Sequence, residues 1–364
     1  MSILGDRIFC EPQGGSRARS REVSIEQGTA RSTMKLVNIP APDFDLEKTL
    51  DSGQVFHWQK HREGYAGMIG ACAVYVEQAG ARLRFSGGDT QLVRNYFSLD
   101  HPLAQICRSF PDDSVMRAAR GFCSGLRIIR QPKWECLATF ITSSMKQVAH
   151  IRQISQALRR RYGEAREIKL QRFVQNADGG SATPRAMPIY SASPTLVNIE
   201  QGTARSTDNY TGYTFPSARR LAECSEKELR KCALGYRAKN LLATAQLAAG
   251  GEVNLDQWRA LSDVDLREKL CALPGVGAKV ANCVMLFAYE RLRAFPIDVW
   301  IARTLQEKYF TRKRKPTEAT LRAFAESYFG EHGGYAQQYL FHHARKTSPR
   351  GRTPQARKLS APRT

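Results

Sequence analysis

The stretch Leu273-Pro274-Gly275-Val276-Gly277-Ala278-Lys279 constrains the fold of this chain more than any other. Upstream of it, Asp263 to Leu270 reads as a short helix with Ser262 as N-cap, because Ser262 and Asp265 can take up backbone N–H groups left unpaired at a helix start. Pro274 ends that helix. Gly275 and Gly277 permit backbone angles barred to other residues and let the chain lie close against a partner. The next helix, from about Ala278 to Tyr289, therefore offers its first N–H groups, with their partial positive charge, to an anion such as a phosphate. Two helices joined this way form a helix-hairpin-helix, here spanning 263–289.

Within the second helix Val280, Val284 and Phe287 recur at helical spacing and suit a core, while Lys279 and Cys283 sit four apart on another face. An amine beside a helix N-terminus and away from water sheds its proton more readily, and a neutral amine is a nucleophile. Asp298, in Pro296-Ile297-Asp298, precedes the helical pattern Val299 to Tyr309. It can cap that helix and direct its carboxylate toward whatever the lysine attacks. An amine and a carboxylate at one site suit displacement at an electron-poor sugar carbon. Spacing alone leaves a second reading open, a phosphate clamp beside an ordinary capping aspartate.

The charge balance points to the kind of partner. A formal net charge of +21 on 364 residues favours a polyanion, and nucleic acid is the first candidate. With 42% apolar residues and no apolar run of membrane length, the chain reads as globular with no membrane partner. The nine cysteines form no CxxC pair and have apolar neighbours, as expected of reduced, mostly buried thiols in a cytosol or nucleus. No four-cysteine run follows the hairpin, so no iron–sulfur cluster is expected, and no other metal or organic cofactor is implied.

Residues 1–33 are polar, contain arginine and lack the apolar core of a secretory signal; they read as a disordered extension, with Met34 opening the working domain. Ile25 to Thr33 recurs as Ile199 to Thr207, two copies too few and too distant for a solenoid. Residues 34–133 read as an antiparallel-sheet domain, with Tyr65 to Ile69, Ala73 to Glu77 and Arg82 to Phe85 as β-prone runs between small turns. Residues 134–345 read as a helical body, broken at Ser143-Ser144-Met145-Lys146-Gln147 and by a disordered insertion at 171–209. Ser225 and Glu228 make a capping box, and Tyr236-Arg237-Ala238-Lys239 opens a further helix. A last helix, from about Tyr335 to Arg345, places Gln337 and Phe341 on one face, and residues 346–364 form a basic, disordered tail. The fold class is α+β, an antiparallel N-terminal sheet packed on a two-part helical body.

The hairpin, Lys279, Pro296-Ile297-Asp298 and the segment Ser52-Gly53-Gln54-Val55-Phe56-His57-Trp58 together resemble the 8-oxoguanine DNA glycosylase/AP lyases of the helix-hairpin-helix, glycine/proline, aspartate superfamily. The resemblance covers about Met34 to Arg345, apart from the insertion. It implies a monomer that excises 8-oxoguanine from double-stranded DNA and then nicks the strand. Lys279 corresponds to the catalytic lysine that forms a Schiff base at C1′, and Asp298 to the acid that stabilises the cationic sugar. Gly53, Cys283, Gln337 and Phe341 correspond to the base pocket. Tyr236, Arg237, Gly275 and Gly277 correspond to DNA contacts, and the compartment expected is the bacterial cytoplasm, at the nucleoid, or the nucleus.

The departures fall on the reading of the opposite strand. Animal and fungal members carry three asparagines where this chain has Met145-Lys146-Gln147, and His150 replaces an arginine. Met145 and His150 are therefore expected to touch DNA with a weaker preference for cytosine. Trp300 stands in place of a histidine. Two rival readings need less of the pattern. A monofunctional alkyl-purine glycosylase would use Asp298 with water and no lysine, and a non-catalytic hairpin module would need no base pocket.

Overall fold

The computed structural model describes residues 36–144, 146–170, 208–310 and 315–348. The expectations for the N-terminal extension, both repeat copies, most of the insertion, nearly all of the tail and Met145 lie outside the described residues.

Five strands, β1 (Val37–Pro40), β2 (Gln59–His61), β3 (Gly64–Ile69), β4 (Cys72–Ala79) and β5 (Arg82–Ser86), form an antiparallel sheet in the order β1-β5-β4-β3-β2. Alternation along β4 sorts the two faces. Val74 and Val76 point to a core with Phe44, Leu50, Trp58, Phe85 and Phe97, whereas Ala73 and Tyr75 point to the other side. That second face is covered by a ribbon that the sequence pattern did not reveal. Strands β6 (Ala165–Leu170) and β7 (Asp208–Tyr213) pair antiparallel across the insertion, and Ile168 packs with Met68 and Tyr75. β7 thus takes in the last two residues, 208 and 209, of the expected insertion.

Helices α1 (Leu46–Asp51) and α2 (Thr90–Tyr96) pack on the sheet, and α3 (Leu103–Arg108) and α4 (Ser114–Phe122) lead into α5 (Lys133–Ser143) and α6 (Val148–Tyr162). After the ribbon come α7 (Ala218–Ala222), α8 (Glu226–Arg230), α9 (Arg237–Ala249), α10 (Asp263–Cys271), α11 (Ala278–Tyr289), α12 (Val299–Tyr309), α13 (Glu318–Tyr328) and α14 (Gly333–Thr347). α3 and α4 precede residue 134, yet Leu103, Ile106, Met116 and Ala119 join the helical core. Helix α11 lies at the centre of that core, with every residue from Val280 to Phe287 buried. A helix apolar on all sides has to be enclosed, and α11 is held by packing against α5 and α10. The caps follow the sequence expectation: Ser262 accepts the Asp265 N–H, and the Ser225–Glu228 box is formed.

Candidate active site

The hairpin is seated by its glycines. Gly275 has φ +79°, and a Cβ there would come within 2.7 Å of Asn240 Cβ on α9, so a side chain would push the hairpin off that helix. Thr244 Oγ1 donates to the Pro274 carbonyl at 3.0 Å and holds the same approach. Gly277 is the N-cap of α11 and has open space where a Cβ would stand. The start of a 12-residue helix is thereby left accessible to an anion.

Lys279 lies in the first turn of α11 and is half-buried. Its Nζ donates to Ser143 Oγ at 3.2 Å, and stands 5.1 Å from the centre of the Phe140 ring. One turn on, Cys283 is buried and close enough to the amine for its charge to act on the thiol. Burial pushes the Cys283 thiol up to about 11, against the pull of the Lys279 charge. Asp298 caps α12 by accepting the Ile301 N–H at 2.8 Å. Burial raises its carboxyl above the ordinary aspartate range, opposed by the N–H groups of Ile301 and Trp300 and by the charge of Lys279. The amine is near enough to both the sulfur and the carboxylate for its charge to act on each.

A second group of expected residues gathers between α1 and α14. Gly53 has φ +86°, and a Cβ there would lie 3.0 Å from Phe341 Cε1 and 3.8 Å from Val148 Cγ2. Gln337 is 4% exposed, and its Oε1 has no hydrogen-bond partner among the described residues. A buried acceptor left unpaired costs free energy and marks a place where a donor fits.

Several residues that hold this pocket were not singled out from sequence. Gln338 Nε2 donates to the Ser52 carbonyl at 2.8 Å. Asp51 takes a 2.9 Å bond from Arg152 and further contacts from Arg345 and Lys346, while the Arg345 guanidinium lies 5.8 Å from the Phe341 ring centre. The Gln54 amide, fully buried, donates to the Arg127 carbonyl at 2.8 Å and accepts the Ile129 N–H at 2.7 Å. The glutamine of the Ser-Gly-Gln segment thus locks the turn that presents Gly53.

The residues expected to touch DNA differ in their presentation. Tyr236 is 61% exposed, and Gly275, Gly277 and His150 are exposed. Arg237 is instead turned inward: it is buried, donates to the Ser144 carbonyl through Nε at 2.7 Å, and stacks 4.3 Å from the Tyr236 ring centre. In this structure its guanidinium fixes the segment leaving α5. Trp300 carries the Arg303 guanidinium 5.7 Å from its ring centre.

Two family models match the chain. Residues 186–328 match the HhH-GPD superfamily of base excision DNA repair proteins, and the chain belongs to that superfamily. Residues 36–137 match the N-terminal domain of 8-oxoguanine DNA glycosylase, which places the chain in the 8-oxoguanine glycosylase branch. It is 26% identical to a probable N-glycosylase/DNA lyase of Methanothermobacter thermautotrophicus, over 85% of this chain and 96% of the relative. It is 28% identical to an N-glycosylase/DNA lyase of Arabidopsis thaliana, over 82% and 77%. Among solved structures, the apo form of the Clostridium acetobutylicum 8-oxoguanine glycosylase/lyase superposes with a TM-score of 0.69 at 26% identity, covering 85% of this chain and 97% of that one. The same enzyme bound to double-stranded DNA with cytosine opposite 8-oxoguanine gives 0.69 at 25% identity, covering 86% and 99%.

Proposed function

We propose that this chain is a bifunctional DNA glycosylase/AP lyase that excises 8-oxoguanine from duplex DNA and then nicks the strand, with Lys279 as the nucleophile. The observation that carries this reading is the nearness of the Lys279 amine to the Cys283 thiol and the Asp298 carboxylate, whose charged form the amine favours. A base inside a duplex is out of reach of such an amine, so the nucleotide must be flipped into a pocket. The Nζ lone pair forms the bond to C1′ as the bond from C1′ to the base breaks, and the base leaves with that electron pair and takes up a proton. Opening of the sugar ring then yields the Schiff base from which β-elimination cleaves the strand. The Asp298 carboxylate stabilises the positive charge that develops on the sugar.

Phe341 and Cys283 sandwich the flipped base, stacking that contributes about 1–3 kcal/mol. Gln337 offers its amide to the Watson–Crick edge. Oxidation turns N7 of guanine from an acceptor into a donor, and the Gly53 carbonyl accepts that hydrogen. Leaving such a bond unmade costs about 1–3 kcal/mol in a buried site, which favours the lesion over guanine. Tyr236 and His150, both exposed, reach the gap and the orphan base, Arg237 holds the segment that leaves α5, and Gly275 and Gly277 bind the phosphate backbone. The enzyme acts as a monomer, in the nucleoid or the nucleus.

The test is borohydride trapping on a duplex with one 8-oxoguanine, beside Lys279→Gln and an undamaged control. A lesion-dependent covalent complex lost in the variant is expected. Tight binding without trapping would point to a monofunctional glycosylase or a binding module. Because Met145 barely hydrogen-bonds and His150 replaces an arginine of the set that reads cytosine, excision opposite all four bases is expected at comparable single-turnover rates. A strong requirement for cytosine would overturn that expectation.

A further inference from the structure

Ser143 is the last residue of α5 and is 5% exposed, facing the first turn of α11. Its hydroxyl proton is already committed, because Oγ donates to the Phe140 carbonyl at 2.8 Å, the back-bond a serine makes near a helix end. A hydroxyl has one proton to give, so its remaining capacity is as an acceptor. The group at 3.2 Å from that oxygen is the Lys279 amine. The buried Cys283 lies one turn further along the same helix, and the ring of Phe140, whose carbonyl accepts from the serine, stands 5.1 Å from the same nitrogen.

We propose that Ser143 is the positioning residue for the Lys279 nucleophile, its Oγ holding one N–H of the amine so that the nitrogen lone pair is turned toward C1′. This rests on the Schiff-base reading above. The requirement follows from the valence of nitrogen. A neutral primary amine has two N–H bonds and one lone pair, and an acceptor that holds one N–H restricts where the lone pair can point. After attack, with the bond to C1′ formed, the bond to the base broken and one proton shed, nitrogen keeps a single N–H. The protonated Schiff base that follows on ring opening also has one. Ser143 can accept that hydrogen throughout, with no change in its own bond to Phe140. Ser143 does not touch the substrate, and its effect is on the angle at which nitrogen arrives; misplacement of a reacting group by about 1 Å costs roughly 10²-fold in rate.

The experiment uses the full chain and three substitutions, S143A, S143T and S143C. It compares single-turnover excision of 8-oxoguanine, borohydride trapping, affinity for a duplex carrying a stable abasic analogue, and thermal unfolding. S143A is expected to lower excision and trapping together by roughly 10²-fold, with affinity changed less than about twofold. S143T, which keeps the hydroxyl, is expected to restore most of the rate. S143C conserves size and offers a weak acceptor; it is expected to be slow at an unaltered melting temperature, which keeps the test open if S143A folds poorly. Wild-type rates in S143C, or in a folded S143A, would overturn the proposal. So would S143T no faster than S143A at equal stability. Absence of trapping by the wild-type chain would overturn the Schiff-base reading itself, and with it this one, and is distinguished because it appears before any serine is changed.

Discussion

The Oε1 of Gln337 is buried without a partner among the described residues, in a helix whose next residue, Gln338, is satisfied by the Ser52 carbonyl. Two adjacent glutamines therefore serve opposite ends: Gln338 holds the pocket wall, and Gln337 is left to wait for a ligand at a cost in stability. Gln337→Met keeps the size and removes the orphan acceptor. It is expected to raise stability by about 1–3 kcal/mol in urea unfolding and to lower single-turnover excision at least roughly tenfold. A variant no more stable than the parent would mean that an ordered water already pairs the oxygen. The spacing of Gln337 and Phe341 on one face was legible in the sequence, because four residues on a helix is a local relation. That one amide of the Gln337-Gln338 pair is satisfied and the other is not was not legible, because it depends on where a segment from the N-terminal domain lies.

Helix α11 carries Lys279 at one end and Glu290 at the other, and the second end is as firmly held as the first. Glu290 adopts the left-handed conformation, φ +57°, and closes the helix. Arg130 bonds it through Nε and grips Asp100 with two contacts of 2.6 and 2.8 Å, while His101 lies 3.4 Å from the Glu290 carboxylate. Hydrogen bonding by His101 and then Arg130, with their charges, holds the Glu290 carboxyl down to about 2 from an ordinary 4.5, against the effect of burial. A depressed acid contributes stability that is present above the unfolded-state value and is lost as pH falls toward the folded one. Glu290→Gln is therefore expected to cost about 1–2 kcal/mol at neutral pH and to flatten the fall in stability between about pH 4.5 and pH 2. Chemical unfolding across that range checks it, and parallel curves for the two proteins would remove Glu290 from the account. The helix limits were readable from Gly277 and the apolar run, whereas its C-terminal anchor was not, since Arg130 is 160 residues away in the chain.

Across the whole molecule, a net charge of +21 sits on a fold whose hairpin presents a helix start to phosphate. Such a surface binds DNA by releasing condensed counterions, so affinity for an undamaged duplex is expected to fall roughly 10³-fold or more between about 50 and 200 mM salt if six or more phosphates are contacted. Fluorescence anisotropy on the full chain measures this, and a shallow dependence would reduce the role of the charge to solubility. The sequence by itself determined the parts whose causes lie within a few residues: the glycine hairpin, the serine and aspartate caps, the alternating strands β3 to β5, and the placing of Lys279 and Cys283 on one face of α11. It also carried the resemblance that joined distant motifs into one family pattern. Only the tertiary structure decided what faces what. The pairing of β6 with β7 joins strands on either side of a long insertion, so no continuous alternation announces it. Ser143 meets Lys279 across 136 residues, and Ser52 meets Gln338 across 286. Arg237, read as a DNA contact, is turned onto Ser144 because a guanidinium satisfies the nearest carbonyl it can reach. Local chemistry leaves a periodic trace along a chain; contacts between distant segments leave none, because they are fixed by how the buried surfaces of α5, α11 and α14 pack together.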